Sequence, residues 1–393
     1  MADQTIDPVL LQVIGGELDS IAKEMAHQLI RSSYSVIIRE SEDMGCALLN
    51  RNYEEIAESD STPFHVGSLV AYCEGAMQTI EERGWVLKEG DVLIHNHPYL
   101  GASHSLDIGV IVPVFWEGEL VAFSANTAHH LDIGGAQPGA TMNLLDMYAE
   151  GRIFNANFLY REGVRDDNMW AFFEGNVRAP REVIGDLECQ VAAAKHGERR
   201  MHQLIAKYGW ETVDTYSTAL IDYLERLLRT EVAKIPDGEY HAEGWLDDDG
   251  ITRGVPERIG VKVIVAGDEI TVDLTDSPAQ RPNSLNTPFG GSTCVGVYSL
   301  FRTLLLDAAL TEQYIPSNSG AFRPITVVAP EGTIFNPKFP AATQMRFNPI
   351  NRVADLILQA LAPAMPGRTT AGNSAQLNGM YMSGTFPDGS YWI

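Results

Sequence analysis

Residues 91–135 read DVLIHNHPYLGASHSLDIGVIVPVFWEGELVAFSANTAHHLDIGG and hold five of the ten histidines of the chain. The two apolar runs in the middle of this stretch, DIGVIVPVF and ELVAFSA, are rich in branched and aromatic residues, which favour strands. The runs meet at Glu117-Gly118. The stretch therefore predicts a β-hairpin whose polar, imidazole-bearing residues lie at its open end.

The length of the hairpin turn decides which side chains share a face of the sheet. A three-residue loop with Gly118 in the left-handed conformation places Asp107 and His129 near each other on one face. A two-residue loop places them on opposite faces. In the first register His104, just before the first strand, brings a second imidazole to the same end of the sheet.

Two imidazoles and a carboxylate form a donor set that suits a divalent transition metal such as zinc, manganese or iron. Histidines and aspartates at hairpin ends also serve as turn formers and caps. The spacings HxxD and HHxD are not strict zinc signatures. The residues of this stretch alone therefore leave both interpretations open.

Composition sets the class of protein. A chain of 393 residues, 45% of them hydrophobic, can fill the cores of two or three globular domains. No apolar run is long enough to cross a bilayer and the N-terminus lacks a secretory pattern, so we expect a cytoplasmic location. The formal charge of -24 would repel nucleic acid and anionic membranes, so we expect neither as a partner. The four cysteines lack CxxC spacing, which predicts buried thiols.

Hydrophobic periodicity predicts an α+β, mixed multi-domain fold in three parts. Residues 1–177 form an N-terminal α/β region with a long amphipathic helix after Asp7-Pro8, the strand GCALLN and the histidine-rich hairpin. Residues 178–235 read as an antiparallel helical hairpin broken at Tyr208-Gly209. Residues 236–393 form a β-rich region with helices. The sequence stops where a turn leads into a strand, so this last part is expected to be truncated at its C-terminus.

No nucleotide-binding loop is evident, because neither GxxxxGK[ST] nor GxGxxG occurs in the sequence. The segment NSLNTPFGG, residues 283–291, precedes a helix predicted to begin near Ser292. Backbone amides at such a helix start can hold an anion, although an ordinary loop with an N-cap is the simpler interpretation.

The chain resembles the hydantoinase B/oxoprolinase family over essentially its whole length, and five motifs carry the resemblance: IIRESEDMGCALL, HNHPYLGASHSLDIGVIVPVF, AHHLDIGG, NVRAPREVIGDLECQVAA and NRVADLILQALA. The AHHLDIGG block, paired with HSLDI, is the most specific. The resemblance implies a metal held by four residues and two neighbouring candidate catalytic residues. The metal ligands are Asp43, His104, Asp107 and His129, and the catalytic candidates are His130 and Asp132.

Two departures from the family pattern bear on these expectations. His97 and Ala102 replace an aspartate and a glycine of many relatives, which points to a different substrate. A longer, glycine-rich C-terminal region of the relatives is missing here.

Asp43 lies far from the hairpin in sequence, just before the strand GCALLN, where a turn residue would be ordinary. Two imidazoles and one carboxylate leave a divalent cation with a net charge of about +1, and a second carboxylate would neutralise it. We therefore expect Asp43 as the fourth ligand. Its neighbour Glu42 should point to the opposite face if the segment is extended.

The resemblance implies a B-type subunit of an ATP-dependent enzyme that opens cyclic amides such as hydantoins, oxoproline or lactams. The small-molecule substrate would be activated by ATP bound to a hydantoinase A-type partner, in a hetero-oligomer. One alternative is a subunit of an ATP-dependent ketone carboxylase, of the acetone or acetophenone type. Another is a non-catalytic scaffold with a structural metal, against which the loop-rich surroundings of the histidines argue, because structural sites are closed by four tight ligands.

Overall fold

The computed structural model describes residues 6–59, 62–306, 314–374 and 382–393. The helices are α1 Pro8–Ser32, α2 Val36–Arg39, α3 Ser68–Glu82, α4 Asp167–Glu174, α5 Pro180–Tyr208, α6 Trp210–Val232, α7 Val295–Leu305 and α8 Phe347–Leu361. The strands are β1 Met44–Asn50, β2 Glu55–Glu58, β3 Val92–His95, β4 Asp107–Trp116, β5 Glu119–His129, β6 Asn157–Arg161, β7 Val164–Arg165, β8 Gly238–Leu246, β9 Glu257–Ala266, β10 Glu269–Asp273, β11 Ile325–Val328, β12 Gly384–Thr385 and β13 Tyr391–Trp392. This mixture of helices and separate sheets confirms the α+β class.

A seven-stranded sheet with the order β2-β1-β5-β4-β3-β6-β7 forms the centre of the N-terminal region. All of its pairings are antiparallel. The predicted hairpin, β4 and β5, lies in the middle of the sheet, where most of its residues are buried. Burial on both faces explains why the two strands read as nearly continuous apolar runs.

The hairpin combines a two-residue turn with a β-bulge. Trp116 pairs with Glu119 across the turn, in which Glu117 and Gly118 have φ of 51° and 85°. Both values fit a type I′ turn. The register then shifts by one residue through a β-bulge at Val121. Of the two turns considered, the two-residue loop is the one present, and the bulge nevertheless places Asp107 and His129 on one face.

One face of the sheet packs against α1 and α5. Asp7 caps α1, because its Oδ1 accepts a hydrogen bond from the backbone N of Val9 at 2.9 Å, and Pro8 takes the first helical position, as predicted. The helical hairpin of α5 and α6 breaks at Gly209, also as predicted. Its apolar residues share one core with α1 and β1. The division of the chain into three domains stays a prediction.

The other face of the sheet packs against α3. This helix lies directly on the loop that follows β3. A Cβ atom at Gly75 would stand 1.7 Å from the carbonyl oxygen of Leu100. The absence of a side chain at Gly75 therefore sets how closely this loop, which leads to His104, approaches the helix.

A second core lies in the C-terminal part of the chain. The four-stranded sheet β11-β10-β9-β8 packs there with α7, α8 and the end of α6. A hairpin turn at Gly267-Asp268 joins β9 to β10. A π-helical turn over Phe289–Cys294 precedes α7, so the helix predicted near Ser292 does begin in this region.

The cysteines agree with the prediction of buried thiols. All four cysteines are free and buried. Within the described part of the chain, no helix is both long and apolar enough to cross a membrane.

The close approach of α3 and the loop after β3 can be tested with two glycines in helices. We expect Gly75→Ala to destabilise the protein by at least about 2 kcal/mol, because the methyl group overlaps a backbone carbonyl that cannot move without the loop. Gly16→Ala is the matched control, since a Cβ atom there meets nothing within 4 Å. It should stabilise the protein by about 0.5–1 kcal/mol. Equal free energies of unfolding for the two variants, measured in urea, would contradict this packing.

Candidate metal centre

Three candidate ligands lie side by side on adjacent strands. Asp107 of β4 pairs with His129 of β5. Asp43 directly precedes the Met44–Ala128 pair between β1 and β5, and its carbonyl accepts a hydrogen bond from the backbone N of His129 at 3.0 Å. Residues at the same level of adjacent strands project to the same face. The order β1-β5-β4 therefore gathers three side chains from distant parts of the sequence.

His104 completes the cluster from the loop before β4. Its Nε2 lies 2.8 Å from Oδ1 of Asp107 and 3.2 Å from Nδ1 of His129. The third side of the triangle, from His129 Nδ1 to Asp107 Oδ1, is 2.9 Å. Among the described residues, these three side chains form the group of potential ligands whose atoms all lie within 4.8 Å of one another. Three buried atoms with lone pairs thus converge on one point.

Asp43 stands at the edge of this triangle. Its Oδ2 is 3.8 Å from Nδ1 of His129, and its Oδ1 is 3.0 Å from Nε2 of His65. The Asp43 side chain is 22% exposed, whereas that of Asp107 is fully buried. Glu42 is exposed, but its φ of 52° is left-handed, so the extended segment assumed for this pair is not present. Asp43 is thus placed where a fourth ligand would lie, and its role as a ligand stays a prediction.

The electrostatics keep the cluster in the protonation states that a metal requires. Burial would raise the pKa of the Asp107 carboxyl, but His104 and Arg346 beside it hold that pKa well below its usual range. Burial and the charge of Arg346 lower the pKa of His104 to about 3. Near neutral pH Asp107 is therefore ionised and His104 is a neutral imidazole, which are the forms that bind metals.

The donor set fits a divalent transition metal. It offers two imidazole nitrogens and one carboxylate oxygen, with a second carboxylate adjacent. Nδ1 of His104 and Nε2 of His129 have no hydrogen-bond partner among the described residues. The ring nitrogens that face Asp107 and each other are Nε2 of His104 and Nδ1 of His129. Zinc, manganese and iron all accept this set of ligands.

His130 and Asp132, the candidate catalytic residues, have their contacts elsewhere. His130 follows His129 onto the other face of the sheet, where its Nε2 lies 2.8 Å from Oε1 of Gln190 in α5. Asp132 forms an ion pair with Arg178, with Oδ1 at 2.7 Å from Nη1. These contacts favour a supporting role for both residues, and a catalytic role for them stays a prediction.

Three residues of the centre were missed in the sequence: His65, Arg346 and Ser103. His65 follows β2 and holds Asp43, and Arg346 at the start of α8 donates from Nη2 to Oδ2 of Asp107 at 2.8 Å. Both come from segments without a recognisable motif, and their proximity depends on tertiary packing. Ser103 could have been noticed from its place beside His104; its hydroxyl donates to the same Oδ2.

Comparison with known proteins shows the family of the chain. The chain belongs to the hydantoinase B/oxoprolinase family, whose family model matches residues 7–393. It is similar to a protein of Pseudomonas sp. strain NS671 that is provisionally named as the B-type subunit of a D-/L-hydantoinase, with 44% identity over 99% of this chain and 66% of the relative. The resemblance inferred from the motifs is thereby confirmed.

Two solved structures share the fold. The crystal structure of the ATP-dependent caprolactamase from Pseudomonas jessenii matches with a TM-score of 0.82 and 32% identity, over 93% of this chain and 62% of that chain. A nucleotide-free acetone carboxylase matches with a TM-score of 0.86 and 18% identity, over 94% of this chain and 50% of that chain. At 18% identity the second match shows the fold alone. The chain spans about two thirds of the length of the hydantoinase relative.

The convergent atoms predict a metal content that depends on the two histidines. We expect the purified chain to bind about one divalent transition metal. His104→Ala and His129→Ala should lower the metal content severalfold without unfolding the protein, because metal ligands contribute little to the hydrophobic core. Metal analysis and circular dichroism measure the two effects. The control is His27→Ala, at an exposed position of α1. Full metal occupancy in both ligand variants would refute the site.

Proposed function

We propose that this chain is the metal-containing B-type subunit of an ATP-dependent enzyme that opens cyclic amides of the hydantoin, oxoproline or lactam type. The observation that carries the proposal is the convergence of His104, Asp107 and His129 in a chain that is 44% identical to a relative named as part of a hydantoinase. Because the sequence lacks both common phosphate-binding loops, we assign ATP to a partner of the hydantoinase A type in a hetero-oligomer.

The residues of the centre have distinct parts in this proposal. His104, Asp107, His129 and Asp43 would hold zinc, manganese or iron. When bound, such a metal polarises a carbonyl or phosphoryl oxygen and lowers the pKa of a bound water. Arg346 keeps Asp107 ionised.

His65 orients Asp43 through the contact with its Oδ1. Because Asp43 is the partly exposed member of the set, a small substrate would approach from its side.

The carboxylase alternative has weaker support. It depends on the match to acetone carboxylase, which at 18% identity is a likeness of fold. The caprolactamase match is 32% identical and the hydantoinase match is 44% identical, and both named activities open a cyclic amide. We therefore place ring opening first.

A purely structural metal also fits less well. Structural sites are closed by four tight ligands, whereas catalytic sites keep an open position. Here three convergent atoms are accompanied by an aspartate whose nearest oxygen is 3.8 Å from His129 and whose side chain is 22% exposed. The site is therefore not closed by four tight ligands, and its fourth candidate ligand is partly exposed to solvent.

The assignment of ATP to a partner predicts that the isolated chain neither binds nor hydrolyses ATP. Isothermal titration of the metal-loaded chain with ATP and magnesium should show no saturable heat, and phosphate release should match that of a blank. Tight ATP binding by this chain alone would contradict the assignment of the ATP site to a partner.

Ring opening can be tested in the complex with an A-type partner. We expect ATP-dependent hydrolysis of at least one of hydantoin, 5-oxoproline and caprolactam. His129→Ala should reduce it at least a hundredfold, because loss of one ligand removes the metal that polarises the reacting oxygen.

The control variant His27→Ala should keep full activity. Ring opening at the wild-type rate by the His129→Ala complex would refute a catalytic metal and favour the scaffold role. Bicarbonate-dependent consumption of a ketone without ring opening would establish the carboxylase alternative.

A further inference from the structure

Arg346 is the largest fully buried side chain of the described residues, with 1% of its surface exposed. Its Nη2 donates to Oδ2 of Asp107 at 2.8 Å, and its Nε donates to Oγ of Ser292 at 2.8 Å. The guanidinium carbon lies 4.1 Å from the ring centre of Phe347. These three contacts fix the plane of the guanidinium group at the edge of the candidate metal centre.

The Nη1 atom of Arg346 has no partner among the described residues, although it is buried. A buried donor on a charged group that lacks an acceptor is costly, and arginines with a purely structural role satisfy their donors. Nη1 belongs to the same planar group as Nη2, so it lies within a few ångströms of the Asp107 carboxylate. The unpaired donor is therefore part of the metal centre.

A site that is finished for a structural purpose satisfies its buried polar groups. Here a polar ligand beside Asp107 would satisfy the donor that the protein leaves unpaired at Nη1 of Arg346.

The charges of the centre define the sign of that ligand. Asp43 and Asp107 contribute two negative charges, and Arg346 contributes one positive charge. A divalent cation between them gives a net charge of about +1. A buried site with an excess positive charge and a free guanidinium N–H favours an anion.

We propose that Arg346 is a specificity-determining residue that binds an anionic oxygen of the substrate through Nη1, beside the atoms that converge on the metal. The ligand class is an oxyanion, which is a phosphoryl group or a carboxylate. Its identification with the phosphoryl group of an activated amide rests on the proposed function. Binding of the oxyanion itself requires neither ATP nor the partner.

The test titrates the metal-loaded chain with inorganic phosphate and, in a separate arm, with acetate, by calorimetry. We expect Arg346→Lys and Arg346→Gln to weaken binding of the preferred anion at least tenfold. Lysine keeps the positive charge beside Asp107, so Arg346→Lys should fold and retain its metal. Lysine cannot reach Asp107, Ser292 and a ligand at once, so binding of the anion should weaken. Metal analysis of the same samples gives the second readout.

Arg165→Gln is the matched control. Arg165 also pairs with a carboxylate, Glu188 at 3.2 Å, and its guanidinium carbon lies 4.1 Å from the ring centre of Trp170. It lies in β7, at the far edge of the sheet from β1. Anion binding should be unchanged in this variant.

Preference for phosphate assigns the oxygen to a phosphoryl group, and preference for acetate assigns it to a carboxylate. Three results would overturn the inference: no binding of either anion by the wild-type chain, equal affinity in wild type and Arg346→Lys, or loss of the metal together with the anion in Arg346→Lys. The last result would mean that Arg346 only positions Asp107. Anion binding without ring opening in the complex would refute the proposed function and leave this inference standing.

Discussion

The carboxylate of Asp107 is the interaction on which the rest of the centre depends. Its Oδ1 lies within 2.9 Å of a nitrogen from both His104 and His129, and its Oδ2 accepts hydrogen bonds from Arg346 and Ser103. Removal of Arg346, its charged partner, would cost about 3–5 kcal/mol, because the buried charge of Asp107 would be left without compensation. One carboxylate thus holds together the hairpin, the loop before it and the start of α8.

The order of the strands in the sheet brings the ligand side chains together. Asp43, His129 and Asp107 lie at one level of β1, β5 and β4. Arg346 comes from the second core, since α8 packs on the four-stranded sheet. The two cores therefore meet at the candidate metal centre, and a shift of either core would disturb the same carboxylate.

Much of the fold could be predicted from the sequence, because it depends on local patterns. The Asp7-Pro8 helix start, the break at Gly209 and the strands of the hairpin follow from caps, glycine and hydrophobic periodicity. The sequence left two turn lengths open for the hairpin, and the bulge at Val121 that compensates for the two-residue turn has no signal in the sequence.

The candidate site could be predicted where its residues lie in the motifs HSLDI and AHHLDIGG, which hold His104, Asp107 and His129. His65 and Arg346 could not be predicted, because each reaches the centre through packing between distant segments. Asp43 lies between these cases. Its family motif and the charge of the cation pointed to it, while its physical reason, the pairing of β1 with β5, is visible only in the fold.

The most direct test of a metal bound by these side chains is a crystal structure of the metal-loaded chain with anomalous scattering from the metal. We expect one anomalous peak about 2.0–2.3 Å from Nε2 of His104, Nδ1 of His129 and a carboxylate oxygen of both Asp107 and Asp43. A peak outside this cluster would contradict the metal centre. A peak more than about 5 Å from the Asp43 carboxylate, or bound by Glu42 in its place, would contradict the assignment of the fourth ligand.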